Sequence, residues 1–125
     1  MKFFCYGSLK QGGRLHHAMQ DAKFVGPAVT ADKFAMIDLG AFPGIVPDPN
    51  GAPIQGELYE GEDHLMHRLD YIEGYPTLYD RKLTEVECDG VKQLAWAYVY
   101  NIHPGRAYKF VTGGVWKLNL DSFTI

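Results

Sequence analysis

The sequence predicts one α+β domain, residues 1–125, with about six antiparallel strands and two helices. Three features predict it. The 14 Gly and 7 Pro make about one residue in six a turn former. Short apolar runs alternate with these turns, as in small β-rich folds, and one segment carries helix signals at both ends. A chain of 125 residues fits a single domain that buries a substantial core.

The first third predicts three strands and a weak helix. The run KFFCY, stopped by Gly7, is expected as the first strand, and GSLKQGG after it as a loop. Arg14 to Ala22 has apolar residues at helical spacing and predicts a helix. FVGPAVTA and FAMIDL are expected as two further strands.

A long irregular excursion is expected next. Residues 40–53, GAFPGIVPDPNGAP, contain four Pro and three Gly, and the excursion ends at the strand PIQGELYE. Loops of this length often border a functional site.

One strong helix is predicted from Glu62 to Glu73. Asp63 is the candidate N-cap, and Gly74 follows the last turn, where glycine commonly ends a helix. Its apolar stripe consists of Leu65, Leu69 and Ile72.

The last third predicts a hairpin and an ambiguous tail. LYDRKLTEVEC and VKQLAWAYVYN flank Asp89–Gly90, the strongest short hairpin signal in the chain. The tail RAYKFVTGGVWKLNL, with a turn at Gly113–Gly114, is expected as an irregular or edge segment.

Composition excludes several classes of partner. The net charge of −3 leaves no basic footprint for nucleic acid or an anionic membrane. The apolar run at residues 3–6 is too short for a signal peptide or a membrane span, so a cytoplasmic protein is expected. Cys5 and Cys88 are therefore expected as buried thiols rather than as a disulfide.

Glu73 is the acidic residue in an unusual position on the predicted helix. On a helical wheel it borders the apolar stripe, whereas Asp70 falls on the solvated face. Glu73 also lies in the last turn, where the helix dipole disfavours negative charge. Both effects predict a raised pKa, which suits a group that accepts and donates a proton in one reaction cycle. The alternative is a side chain that bends outward into water.

The loop after the first strand is a candidate anion site. Gly7, Ser8 and the Gly12–Gly13 pair put small residues where backbone N–H groups can point at a carboxylate or an oxyanion. The loop lacks the glycine spacing of Walker and Rossmann motifs, which disfavours nucleotide binding. The alternative is a tight turn that merely requires glycine.

Metal and nucleophile chemistry find little support. The five His offer no third ligand and no H-x-x-x-H spacing, so no metal site is expected. Ser8, Cys5 and Cys88 lack an evident base, and no G-x-S-x-G elbow occurs.

Aromatic residues crowd one face of the predicted strand VKQLAWAYVYN. Trp96, Tyr98 and Tyr100 share that face, which favours a sheet core, although a tyrosine hydroxyl can open into a cavity. Tyr79 and Arg81 also share a face, either as a pair that holds one polar ligand or as a surface pair.

Three segments together resemble the γ-glutamylcyclotransferase-like family, especially its short γ-glutamylamine-type, AIG2-like members. They are FCYGSLKQGGRLHHAM, FPGIVPDPNGAPIQGELYE and LDYIEGYPTLYDRKLTEVE. The resemblance implies a small six-stranded barrel with flanking helices and no cofactor. It also implies a substrate held by the backbone of the Tyr6–Leu9 loop and a catalytic glutamate that corresponds to Glu73.

The resemblance implies release of 5-oxoproline from a γ-glutamyl compound, in which the substrate's own α-amine attacks. It leaves the departing amine and the oligomeric state open. The alternatives are a small-ligand binding module of the same fold and a γ-amide hydrolase. The candidate substrate-binding residues are Tyr6, Gly7, Ser8, Leu9, Tyr79, Arg81 and Tyr98.

Overall fold

The computed structural model describes residues 1–117 and shows a closed, mixed β-barrel flanked by one α-helix. The strands are β1 (Lys2–Cys5), β2 (Lys23–Asp38), β3 (Pro43–Pro47), β4 (Ala52–Glu60), β5 (Tyr79–Cys88), β6 (Val91–Tyr100) and β7 (Lys109–Val111), and the helix is α1 (Asp63–Glu73). Five strands close the barrel in the order β2-β4-β1-β6-β5, because β5 pairs with β2. The predicted α+β class and the barrel are confirmed.

The predicted hairpin lies where it was expected. β5 and β6 form a ten-pair antiparallel hairpin, and Asp89 and Gly90 both have positive φ, at 52° and 78°. Such a turn matches the twist of the flanking strands. β1 is antiparallel to β4 but parallel to β6, at Phe3 opposite Trp96, which makes the sheet mixed.

The expectation of two strands between residues 24 and 38 is wrong. β2 is one continuous strand of 16 residues that passes through Asp32 and Lys33, where the break between the two strands was expected. Its register against β4 shifts between Phe24 and Gly26 and again between Val29 and Lys33. Such irregularities bend a strand, so the residues between Val29 and Lys33 mark a bend within one strand instead of a break between two.

Two further expectations are corrected. The excursion at residues 40–53 contains β3, which in the described part of the chain pairs with β2 alone. This edge position tolerates its two prolines. The predicted helix from Arg14 to Ala22 shrinks to a single 3₁₀ turn at His16–Met19, so residues 1–117 contain one α-helix where two helices were predicted.

Helix α1 is confirmed with a small change at its start. Glu62 is the N-cap residue in place of Asp63, and Gly74 ends the helix in the left-handed conformation at φ 65°. The Gly74 N–H donates to the carbonyl oxygens of Asp70 and Tyr71. Leu65 and Leu69 are buried against the barrel, and this contact sets which face of the last turn points inward.

The remaining segments agree with the sequence in part. Cys5 and Cys88 are both buried free thiols. In the tail, residues 109–111 form β7 on the edge of β2, whereas residues 118–120 lie outside the described part. No helix within residues 1–117 has the length and apolar character needed to cross a membrane.

Candidate active site

A cavity of about 260 Å³ lies between the end of β1 and the last turn of α1. Its walls come from β1 and the loop after it, from α1, and from aromatic residues of β5 and β6. Most of the lining is apolar, with a few polar groups, which is typical of small-molecule sites. Residues 6–9 and Glu73, which the sequence analysis singled out separately, line this same cavity.

Glu73 lies in the last turn of α1, where Gly74 terminates the helix. Its side chain is half-buried and lines the cavity. Burial raises the pKa of its carboxyl from 4.5 to about 7, and the helix C-terminus acts in the same direction. The structure shows no hydrogen bond from residues 1–117 to this carboxyl. Glu73 therefore exchanges its proton near neutral pH and keeps its oxygens available to a bound molecule.

The loop Tyr6–Leu9 is far from α1 in the sequence, but the two line the same cavity. The Leu15 N–H donates to the Ser8 carbonyl at 2.9 Å, and the Gln11 N–H donates to the Glu57 carboxylate at 2.8 Å. The N–H groups of residues 7–9 have no acceptor within the described chain. They are thus available to a ligand, as an anion site requires.

Gly7 is needed for close packing rather than for an unusual φ. A Cβ atom at this position would lie 2.7 Å from Cγ of Pro43, closer than nonbonded carbon atoms approach in proteins. The loop and β3 are therefore in direct contact beside the cavity. A side chain at residue 7 would displace the loop backbone.

Three tyrosines line the cavity with their rings while their hydroxyls bind the protein. The Tyr6 hydroxyl donates to the Tyr98 carbonyl at 2.7 Å, the Tyr79 hydroxyl donates to the Pro43 carbonyl, and the Tyr98 hydroxyl donates to Asp70 Oδ1 at 2.6 Å. Burial raises the pKa of each phenol, so all three remain neutral donors. Their contribution to the cavity is shape and apolar surface.

Arg81 lies away from the cavity wall. Its Nε donates to Asp70 Oδ1 at 3.0 Å, and its guanidinium carbon lies 4.3 Å from the Tyr75 ring centroid and 5.1 Å from that of Trp96. The Asp70 side chain is only 17% exposed, whereas the helical wheel placed it on the solvated face. Arg81 and Tyr98 together fasten the last turn of α1 to β5 and β6, one turn from Glu73.

Replacing Arg81 by Met should lower the free energy of unfolding by about 1–3 kcal/mol, because the largely buried Asp70 carboxyl would lose its cationic hydrogen-bond partner. Urea unfolding at pH 7 measures the change. Arg106→Met is the matched control, since the Arg106 guanidinium stacks on Tyr108 at 5.3 Å and should lose less. Equal stability of the Arg81 variant and the unmodified protein would contradict the anchoring role.

Two polar groups that line the cavity are not among the predicted site residues. Arg14 lines the cavity at an exposed position, just after the Gly12–Gly13 pair. The signal that could have placed Arg14 there is the Gly12–Gly13 pair, because Gly13 lets the chain turn back closely against Ser8. The Cys5 thiol also lines the cavity, and burial raises its pKa, so it stays protonated and is a poor nucleophile.

Metal-ligating side chains are scattered over the described residues. Within residues 1–117, no three His, Cys, Asp or Glu side chains are grouped so as to hold a metal ion.

Comparison with known proteins gives one consistent family. A family model described as "Gamma-glutamyl cyclotransferase, AIG2-like" matches residues 3–118. The chain is 31% identical over 116 residues to "Gamma-glutamylcyclotransferase family protein YtfP" of Escherichia coli K12, covering 93% of this chain and 96% of that protein. It is 30% identical over 105 residues to "Gamma-L-glutamyl-butirosin B gamma-glutamyl cyclotransferase" of Niallia circulans, covering 78% of this chain and 65% of that protein.

The fold gives the same answer as the sequence comparison. The crystal structure of an AIG2-like protein from mouse superposes with a TM-score of 0.80 at 25% identity, covering 93% of this chain and 87% of that one. With a family match over nearly the whole length and the same barrel, the chain belongs to the gamma-glutamyl cyclotransferase, AIG2-like family.

Proposed function

We propose that this protein is a γ-glutamylcyclotransferase that converts a γ-glutamyl amide into 5-oxoproline and a free amine, with Glu73 as its general acid and base. The observation that carries the proposal is the shared cavity. The half-buried carboxyl of Glu73, with a pKa of about 7, lines the same cavity as Gly7 and Ser8. Family membership and the names of the two relatives support the reaction class.

The reaction needs no nucleophile from the protein. The substrate's α-amine attacks its own γ-carbonyl carbon, the new C–N bond closes a five-membered lactam, and the original amide C–N bond breaks. One proton leaves the α-ammonium before attack, and one proton joins the departing nitrogen as the amide C–N bond breaks. The attacking nitrogen loses a second proton to water as it becomes the lactam N–H, and the released amine takes up a proton from water to become an ammonium group. A single carboxyl near both nitrogens serves both transfers: Glu73 takes the first proton as carboxylate and returns it as acid.

The pKa of Glu73 suits this cycle. A carboxyl with its ordinary pKa of 4.5 is a weak base toward an ammonium and is almost never protonated at pH 7. A pKa of about 7 leaves Glu73 divided between its two forms at neutral pH, so neither half of the cycle lacks the required form.

Binding geometry supplies the other part of the acceleration. The attack is intramolecular, so holding the α-amine against the γ-carbonyl accelerates it. Well-oriented reactions of this kind reach effective molarities of roughly 10⁵ M or more. The rings of Tyr6, Tyr79 and Tyr98 shape the cavity around a folded-back substrate. The available N–H groups of residues 7–9 are the proposed donors to the glutamyl α-carboxylate or to the oxyanion of the tetrahedral intermediate. Arg81 is assigned to anchoring α1 instead of binding substrate.

A product assay tests the proposal. The protein is incubated with a panel of γ-glutamyl amides, and 5-oxoproline is detected by mass spectrometry. We expect 5-oxoproline and the free amine in equal amounts. Ligand-dependent shifts in melting temperature without product would identify a binding module instead.

Acetylating the α-amine separates cyclisation from hydrolysis. A cyclotransferase cannot act on an Nα-acetylated substrate, because the attacking nitrogen has lost its nucleophilicity. A hydrolase, in which water attacks, would still release the acetylated glutamate. Turnover of the acetylated panel would therefore overturn the cyclotransferase assignment.

A further inference from the structure

Glu57 is a partly buried carboxylate on β4 that contacts the loop after β1. It is not among the described residues that line the cavity. In the antiparallel pairing of β4 with β1 it lies opposite Cys5, the last residue of β1. Its side chain reaches past the end of β1, where Oε1 accepts the Gln11 N–H at 2.8 Å. The loop that begins at Tyr6 is therefore tied to the barrel at its far side.

The acceptor oxygen of Glu57 is itself held in place. The Tyr59 hydroxyl, two residues further along β4, donates to the same Oε1 at 3.1 Å. Tyr59 is buried and packs in the same core cluster as Leu65 of α1. A side chain whose rotamer is locked by a buried neighbour holds its own partners precisely. The loop is thus fastened to a fixed point of the barrel, through hydrogen bonds that a charged carboxylate strengthens.

The backbone of the loop transmits this tie to the cavity. The Lys10 N–H donates to the Gly7 carbonyl at 3.0 Å and closes a turn over residues 7–10. Gln11 follows the turn directly, so its bond to Glu57 fixes the direction in which the turn points. The N–H groups of residues 7–9 have no acceptor within the described chain, and all three residues line the cavity. A tilt of the turn would move these donors together, and donors act on a developing charge only when they are aimed at it.

A carboxylate near an anion site opposes a negatively charged ligand unless a cation offsets it. Lys10 supplies such a cation within the turn. Burial lowers the pKa of Lys10, and the Glu57 carboxylate acts in the opposite direction by favouring the charged ammonium. Lys10 Nζ also donates to the Trp116 carbonyl at 3.0 Å. Glu57 can therefore hold the loop while Lys10 offsets its charge.

We propose that Glu57 is a positioning residue for the reaction, which keeps the N–H groups of residues 7–9 directed at the bound substrate by holding Gln11. It acts through the loop and not by contact with the substrate. The inference rests on the proposed function for its kinetic test, and a test without substrate judges it separately.

The kinetic test removes the acceptor and then restores it. Glu57→Val should lower kcat/KM for 5-oxoproline release about tenfold, a usual effect of losing a hydrogen bond to a charged group. Glu57→Gln keeps an oxygen that accepts the Gln11 N–H and should return kcat/KM to within about threefold of the unmodified protein. The pH dependence should keep its midpoint near 7 in both variants, because Glu73 is untouched.

Two further variants separate this effect from a loss of folding. Combining Glu57→Val with Tyr59→Phe leaves no tyrosine hydroxyl without its acceptor, and the double variant should show the same loss of about tenfold. Glu60→Val removes an exposed carboxylate of the same strand and is the charge-matched control. The control should retain full activity.

The test without substrate follows backbone amides by NMR. In Glu57→Val, the Gln11 amide should exchange with solvent about tenfold faster than in the unmodified protein, and the amide resonances of residues 7–9 should shift. Glu57→Gln should restore both, and Glu60→Val should change neither. If these changes occur but the unmodified protein releases no 5-oxoproline, the positioning of the loop stands and the cyclotransferase assignment fails.

Two results would overturn the role of Glu57. Unchanged exchange of the Gln11 amide and unchanged resonances of residues 7–9 in Glu57→Val would show that the loop keeps its position without this carboxylate. Undiminished kcat/KM in the double variant, in a protein that does release 5-oxoproline, would show that the position of the loop does not depend on Glu57 during turnover.

Discussion

Glu73→Gln is expected to lower the rate of 5-oxoproline release by about 10²–10⁴-fold, the usual contribution of a positioned general acid and base. The amide of Gln has nearly the shape of the carboxyl but can neither accept nor donate the proton that the reaction moves. Substrate binding should change only a few-fold, because the loop and the aromatic walls are untouched. The measurement is a steady-state assay of 5-oxoproline together with calorimetric binding of the same substrate.

Glu85→Gln is the matched control for this variant. Glu85 is an exposed carboxyl on β5, so its replacement changes the net charge equally without touching the cavity. The control should retain full activity. Undiminished release of 5-oxoproline by the Glu73 variant would remove the proposed mechanism, since no other carboxyl of the described chain lines the cavity.

Glu73→Gln should also gain stability relative to the unmodified protein as the pH rises from acidic to mildly alkaline. Folding raises the pKa of Glu73 from 4.5 to about 7, so the folded state favours the protonated form. The unmodified protein therefore loses stability as the pH rises through the interval from 4.5 to 7, by up to about 3 kcal/mol, and Gln at this position does not. Relative to the unmodified protein, the variant should gain up to about 3 kcal/mol between pH 4 and pH 8.

Urea unfolding at pH 4, 6 and 8 measures this gain. The change in the stability difference with pH is the informative quantity, because a constant offset reflects packing of the amide alone. The Glu85→Gln variant, which makes the same substitution at an exposed position, is measured in parallel as the control. A stability difference that stays constant from pH 4 to pH 8 would mean that Glu73 titrates in the folded protein as it does in an unfolded chain.

Elements with strong local signals were predictable from the sequence. α1 has an apolar stripe and a glycine at its end, and the β5–β6 hairpin has Asp89–Gly90 at its turn. In both cases, residues close in the sequence set the structure. Glu73 could be singled out for the same reason, because its place on the helix follows from the position of Leu65 and Leu69 on the inner face.

Elements that depend on distant strands were not predictable in detail. Asp32 and Lys33 separate two apolar runs of the sequence, yet β2 continues through them. β4 and β5 pair with the residues before them, and β3 and β4 pair with the residues after them. The residues from Arg14 to Ala22 form one 3₁₀ turn instead of the predicted helix. Their backbone is held instead by the bond from Leu15 to Ser8.

The site shows the same division. Asp70 belongs to the outer face by helical spacing, and only the fold of β5 and β6 brings Arg81 and Tyr98 to it. The hydroxyl of Tyr98 was a candidate for substrate contact, whereas its bond to Asp70 makes it an anchor for the helix. The position of Arg14 at the cavity was not predictable from the sequence, because it depends on how the Gly12–Gly13 pair folds back on Ser8.

The titration of Glu73 itself tests the proposed proton carrier most directly. In protein labelled with ¹³C at the glutamate carboxyl carbons, the Glu73 resonance is the one missing from the spectrum of the Glu73→Gln variant. Its chemical shift, followed from pH 3 to pH 9, should change with a midpoint near 7. A midpoint near 4.5 would show an ordinary solvated carboxylate, and Glu73 would then lack the protonated form that must release the departing amine.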